Sequence, residues 1–145
     1  MISPKTNSIQ LSLIFSNALG VFFNAPITPF ELFLVNSLIV LLNILHEDEQ
    51  RLSEDQELHL YRIVQEAISN IIKHAKASSI TLDWHNSKRI FGLRIYDDGE
   101  GIPEAYKPKG MGLSNIESRI QLLGGKYRLQ SKEENGTSLT LILFK

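Results

Sequence analysis

Apolar residues recur through the middle of the chain with two different periods. Leu60, Ile63, Val64, Ala67, Ile68, Ile71, Ile72 and Ala75 fall three and four residues apart, the spacing of a helix with one buried face. Ser53 with Gln56 three residues later forms a capping box, which predicts a helix over 54–77 that runs out before Ser78 and Ser79. Period two then takes over. Ile80, Leu82 and Trp84 alternate, as do Phe91, Leu93 and Ile95, predicting strands over 80–85 and 89–96. A second helical set, Leu113, Ile116, Ile120 and Leu123, is closed by Gly124 and Gly125 and predicts a helix over 113–123. Strands over 126–131 and 137–144 complete the order, the last with Leu139, Leu141 and Leu143 on one face. Strands interleaved with helices at this length predict an α+β layer pair, with helices on one face of the sheet and the other face open to water.

Residues 1–45 follow neither period cleanly and are set apart from 46–145 as an N-terminal segment, the remnant of a dimerisation region and a first strand. Positions 6–30 carry no charge, and 32–45 read LFLVNSLIVLLNIL. That run falls short of the roughly 20 apolar residues a membrane span needs, and Glu31, Asn36 and Asn43 bound or interrupt it. Thr28, Pro29 and Glu31 have the form of a capped helix start, and Val40, Leu42 and Ile44 of the beginning of a strand. An apolar surface left there favours a homodimer through this segment.

Composition narrows the function classes. With 15 basic and 16 acidic residues the net charge is −1, so no electrostatic footprint for nucleic acid is present. The absence of cysteine removes disulfides and thiolate zinc sites and agrees with a reducing cytoplasm. A chain of 145 residues, 43% of them hydrophobic, has enough apolar material for one core.

Three segments carry candidate chemistry: EAISN at 66–70, DDGEG at 97–101 and GMGL at 110–113. Glu66, Asn70 and Lys73 share one flank of the first helix at the edge of its apolar stripe, with His74 nearer still to that stripe. A carboxylate and an amide four residues apart suit hydrated magnesium, which takes oxygen ligands and completes its shell with water and phosphate. A solvated helix edge gives the same pair. Asp97 stands at the end of a strand as a hydrogen-bond acceptor for an exocyclic amine, and Gly99 and Gly101 let backbone approach a flat ligand; DDG is also an ordinary turn. GMGL feeds a helix N-terminus, where free amides and the positive end of the dipole suit phosphate, as a flexible loop with a helix start also would. No dinucleotide fingerprint and no P-loop is completed.

In combination the segments are more specific than singly. LYRIVQEAISNIIKHAKAS (60–78), DDGEGI, GMGLSNIESRIQLLGG (110–125) and NGTSLTLIL (135–143) resemble the catalytic ATP-binding domain of bacterial sensor histidine kinases, with LYRIVQEA and KHA closest to the nitrate-sensor and desaturase-sensor subfamily. The resemblance spans roughly 50–145. It implies the histidine-kinase/Hsp90-like ATPase (Bergerat) fold, a two-layer sandwich of a mixed, mostly antiparallel sheet covered on one face by helices. It implies ATP and Mg2+ as cofactors, with Glu66 polarising water or the attacking group, Asn70 as magnesium ligand, and Lys73 and His74 near the phosphates. Asp97 would accept from the adenine amine, Gly99 and Gly101 would let the chain pass beside the base, and Thr137 would help through water. Residues 102–112 would form an ATP lid beginning at Ile102, with Gly110 and Gly112 as hinge and phosphate cradle and Met111 and Leu113 beside them.

The implied partners are a phosphoacceptor helical domain of the same full-length kinase and a response regulator, in the cytoplasm, with a membrane anchor left open for the full-length protein. His46 has acidic neighbours but precedes Glu66 by only 20 residues, too few for a two-helix hairpin between them, so it reads as a surface histidine. His59 and His85 read as structural or solvated. The same fold serves serine kinases and ATP-driven clamps, and a degenerate domain that binds a partner without ATP is the non-enzyme alternative.

Overall fold

The computed structural model describes residues 7–12, 52–102, 111–131 and 134–145. Its elements are β1 (Asn7–Ser12), α1 (Glu54–His74), β2 (Ser79–Asn86), β3 (Ile90–Asp97), α2 (Met111–Leu122), β4 (Lys126–Ser131) and β5 (Thr137–Phe144). The five strands form one sheet in the order β1-β2-β3-β5-β4, each neighbouring pair antiparallel. The connection through α2 passes over one place in the sheet, and β5 returns to fill it between β3 and β4.

Register turns the alternation of the sequence into rows across one face. Trp84, Leu93 and Leu141 are aligned, as are Leu82, Ile95, Leu139 and Leu129, and all but the half-buried Leu129 are buried. The next row along the strands is Ile80, Asp97, Thr137 and Ser131. Apolar rows thus give way to a polar one at a single end of the dry face. Helix α1 lays Leu60, Ile63, Val64 and Ile68 on the sheet, and α2 adds Ile116 and Ile120. Each such side chain fully buried contributes about 1.5–3 kcal/mol, so packing rather than intrinsic helicity holds both helices in place. The opposite face carries half-buried and exposed residues such as Asp83, Arg94 and Tyr96.

The helix ends are fixed by local hydrogen bonds. Ser53 Oγ accepts the Gln56 N–H at 3.2 Å while Gln56 Oε1 accepts the Ser53 N–H at 3.1 Å, the expected capping box. Gln56 also donates to the Phe144 carbonyl at 2.8 Å, tying the start of α1 to the end of β5. Helix α1 ends at His74, three residues before the expected boundary, because Lys76 turns into the left-handed region (φ 50) and the Ala75 carbonyl is taken by the Glu100 N–H at 2.8 Å. Helix α2 closes with Gly124 at φ 63, the Gly125 N–H donating to Ile120 and the Gly124 N–H to Gln121, both at 2.9 Å, a Schellman motif.

Strand β1 was not expected, since the sequence suggests the extra strand near Val40; its backbone pairs with β2 from Asn7↔Trp84 to Ser12↔Ser79. The expected helix start at 28–31, the strand at 40–44, His46 and the apolar run proposed for dimerisation lie outside the described residues. His59 sits between Asp55 (3.8 Å) and Arg119 (3.5 Å), and His85 is half-buried with Nδ1 unpartnered.

Asp98 holds the start of β2. Its carboxylate accepts the Ser78 and Ser79 N–H groups, each at 2.8 Å, and the Ser79 hydroxyl at 2.9 Å. The Ser79 N–H hydrogen bond is the largest cause that lowers its pKa below the usual carboxylate value. A depressed folded pKa gives stability that is present above the unfolded value of about 3.9 and is lost as pH falls through the folded one. Because the group is exposed, Asp98→Ala is expected to cost only about 1 kcal/mol at pH 7 after solvent screening. In denaturant titrations the difference should stay constant down to about pH 5 and close below about pH 4; equal stability of the two proteins at pH 7 would remove this role from Asp98.

Candidate functional site

The polar row is the floor of the site. Strand alternation puts Asp97 on the same face as Leu93 and Ile95, so its side chain enters the space between sheet and helices and is only 1% exposed. Its Oδ1 accepts the Gly99 N–H at 2.9 Å. Desolvation raises its pKa, outweighing the lowering by backbone hydrogen bonds from Gly99 and Thr137, and the charge of Asp98 adds to the rise. None of the ion pairs among the described residues includes it. A carboxylate buried without a cation is costly to keep, and such groups cluster where a ligand completes them.

Asp97 opens into a cavity of about 450 Å³ between α1, α2 and the sheet. Ile71, Ile95, Ile116, Leu129 and Leu139 form apolar walls, and Asn70, His74, Asp97 and Thr137 supply the polar groups. A mostly apolar slot with a few placed polar groups suits a flat, partly polar ligand. At its other end the first turn of α2 meets α1. A methyl group on Gly112 would lie 2.5 Å from Glu66 Oε1 and 2.9 Å from Asn70 Nδ2, so a side chain there would push the ends of both aside. Glu66 and Asn70 thereby share one spot beside the start of α2, whose first turn carries no acidic residue.

Of the residues singled out from sequence, Asn70, His74, Asp97, Gly101, Ile102, Gly112, Leu113 and Thr137 line the cavity. Glu66 adjoins it through Gly112. Lys73 is exposed and does not line it. Gly99 is buried beneath the turn, where an added methyl would lie 2.2 Å from the Ala75 carbonyl oxygen, so its need for glycine comes from the end of α1. Gly110 lies outside the described residues, and Met111 opens α2. The apolar walls were not singled out, although Ile95 and Leu139 follow from the strand alternation that delivers Asp97. Ser131, bonded to Ile102 and Thr137, has no motif to mark it.

No cluster of three or more His, Cys, Asp or Glu suited to a metal occurs among the described residues. Glu66 and Asn70 are instead a partial oxygen set, which suits a magnesium ion completed by water and ligand oxygens.

The profile of the histidine kinase-, DNA gyrase B-, and HSP90-like ATPases matches residues 55–145. The signal transduction histidine-protein kinase/phosphatase UhpB of Salmonella typhimurium is 39% identical over 95 residues, covering 65% of this chain and 19% of its own length. The sensor protein VraS of Staphylococcus saprophyticus is 32% identical over 100 residues, 68% of this chain and 29% of its own length. This chain therefore spans less than a third of either relative. Among solved structures, the ATP binding domain of PrrB from Mycobacterium tuberculosis is 29% identical with a TM-score of 0.52, covering 61% of this chain and 68% of that domain. The histidine kinase domain of Erythrobacter litoralis EL346, at 21% identity, a TM-score of 0.55 and coverage of 61% and 44%, shares the fold. With the profile extending over more than half of its length, the chain belongs to the family of histidine kinase-, DNA gyrase B- and HSP90-like ATPases.

Proposed function

We propose that residues 46–145 bind Mg-ATP and present its γ-phosphate for autophosphorylation of a histidine on a separate dimerisation helix, in two-component signalling through a response regulator. The observation that carries the reading is the unpaired, buried Asp97 carboxylate on the floor of an apolar slot. Ionised, it is an acceptor only, which matches an adenine amine and mismatches a carbonyl. Ile95, Leu129 and Leu139 give the base apolar contact and exclude water.

Asn70 and Glu66 fit magnesium held jointly with phosphate oxygens, Asn70 as a direct ligand and Glu66 through water or on the attacking group. Bound there, magnesium would draw off charge building at the γ-phosphate. The start of α2 supplies N–H donors to the phosphates beside Gly112, and Lys73 adds positive charge near the end of α1, where His74 lines the cavity. Phosphoryl transfer depends chiefly on positioning, so these residues can bind and orient while the acceptor helix brings the nucleophile. Among the described residues no helix is long and apolar enough to cross a membrane. Dependence on ATP implies a cytoplasmic location for the domain.

Calorimetric titration with a non-hydrolysable ATP analogue tests the reading directly. Binding that strengthens with magnesium is expected, and Asn70→Ala should abolish the magnesium dependence while leaving metal-free binding in place. A folded protein that shows no binding would overturn the proposal.

Asp97 gives two further tests. Asp97→Asn should weaken nucleotide by about 1.5–3 kcal/mol, roughly ten- to hundredfold. A raised folded pKa contributes stability that is full below the unfolded value and lost as pH rises through the folded one, so at pH 7 the ionised carboxylate is a liability to the fold. The unfolding free energy of Asp97→Asn should therefore stay within about 1 kcal/mol of the parent despite the lost affinity. Unchanged affinity in the folded variant would contradict the assignment. In the parent, affinity for the analogue should fall as pH is lowered through the raised Asp97 pKa, and this acid limb should be absent in Asp97→Asn. Identical pH profiles for the two would assign the limb to another group.

A further inference from the structure

The polar row does not end inside the cavity. Beyond Asp97 and Thr137 its last member is Ser131 on β4, which lies outside the lining and makes three hydrogen-bond contacts. Its Oγ accepts the Ile102 N–H at 2.7 Å, lies 3.3 Å from the Gly136 carbonyl oxygen and 2.9 Å from Thr137 Oγ1. A serine hydroxyl has one proton and two lone pairs. The Ile102 N–H can only donate, so it occupies one lone pair. Ser131 is exposed, and its Oγ is placed to donate to the carbonyl of the buried Gly136, which can only accept. Either hydroxyl of the Ser131–Thr137 pair can be the donor; with the Ser131 proton on Gly136, the Thr137 hydroxyl donates to the remaining lone pair. With its proton turned toward Ser131, Thr137 offers only lone pairs to the cavity.

We infer that Ser131 is a positioning residue for base selection: it fixes the Thr137 hydroxyl as an acceptor beside Asp97, so that the floor favours an exocyclic amine over a carbonyl. This rests on the nucleotide reading above and goes beyond it, since Ser131 would act without touching the base. The bond to Ile102 places the same hydroxyl at the end of the glycine turn, so one side chain ties cavity floor and cavity mouth together. Without Ser131 the Thr137 hydroxyl is free to rotate and can donate to a carbonyl oxygen, which relaxes the choice.

The test is calorimetric titration of the full chain with ATP and with inosine triphosphate, whose base carries a carbonyl where adenine carries its amine. The parent should prefer ATP. Ser131→Ala should narrow the ATP-to-inosine ratio by about two- to tenfold, the scale of one neutral hydrogen bond, and Ser131→Thr should restore it. A purely structural role for Ser131 would lower the melting temperature or weaken both triphosphates alike, leaving the ratio fixed. Thr137→Val, which removes the receiving hydroxyl while keeping its shape, should narrow the ratio to a similar extent, and the double variant should narrow it no further. A parent that prefers ATP together with an unchanged ratio in Ser131→Ala, or in Thr137→Val, overturns this inference alone. A parent that binds neither triphosphate overturns the nucleotide reading and this inference with it.

Discussion

The rest of the site depends on keeping one carboxylate dry without a counter-charge. Asp97 is held by backbone N–H groups alone among its described partners, an arrangement that survives only if the turn after it cannot relax and admit water. Residues 98–102 are therefore tied on three sides. The Glu100 N–H bonds the end of α1, the Asp98 carboxylate bonds the start of β2, and Glu134 and Ser131 close the turn from the β4–β5 side through bonds of 2.8 and 2.7 Å to Glu100 and Ile102. The Lys76–Glu100 ion pair at 2.8 Å lies over this turn but is exposed on both sides, and such pairs add little. Backbone hydrogen bonds are the main fastening.

Two helix ends meet the cavity, and their charges differ. The last turn of α1 carries Lys73, which offsets the negative end of its dipole. The first turn of α2 carries no acidic side chain of its own, and the anion beside it is Glu66 from the facing helix, next to Gly112. The same helix has Arg119 in its last turn, the usual complement at a C-terminus. Among its own residues the charge pattern is thus complete at one end and open at the other. Glu66 stands beside Asn70 on that facing helix, so a carboxylate and an amide meet the start of α2 together.

The regular elements were legible because each has a strong period and a local stop: the capping box at Ser53 and Gln56, the alternation through β2, β3 and β5, and the glycine pair after α2. Where tertiary contacts decide, the sequence was silent. Nothing local in the stretch through Ala77 announces that Glu100 will claim the Ala75 carbonyl and end α1 at His74. NSIQLS offers little apolar material to mark it as a strand, and its place beside β2 is long-range information. Asp97, Asn70 and Gly112 stand in motifs and all three line the cavity, whereas the contacts of Gly99 and Ser131 come from register and packing across segments far apart in the chain.

Asp97 and Asp98 show how little residue type says before burial is known. They are adjacent and identical, yet alternation sends one into the dry layer and the other outward over Ser78 and Ser79. Desolvation raises the pKa of the first, while backbone and hydroxyl donors lower that of the second. Asp98 lends stability to the fold in its ionised form; Asp97 withdraws it. The outward aspartate holds the turn that follows the inward one on the cavity floor, so the stabilising and the destabilising carboxylates belong to one local arrangement.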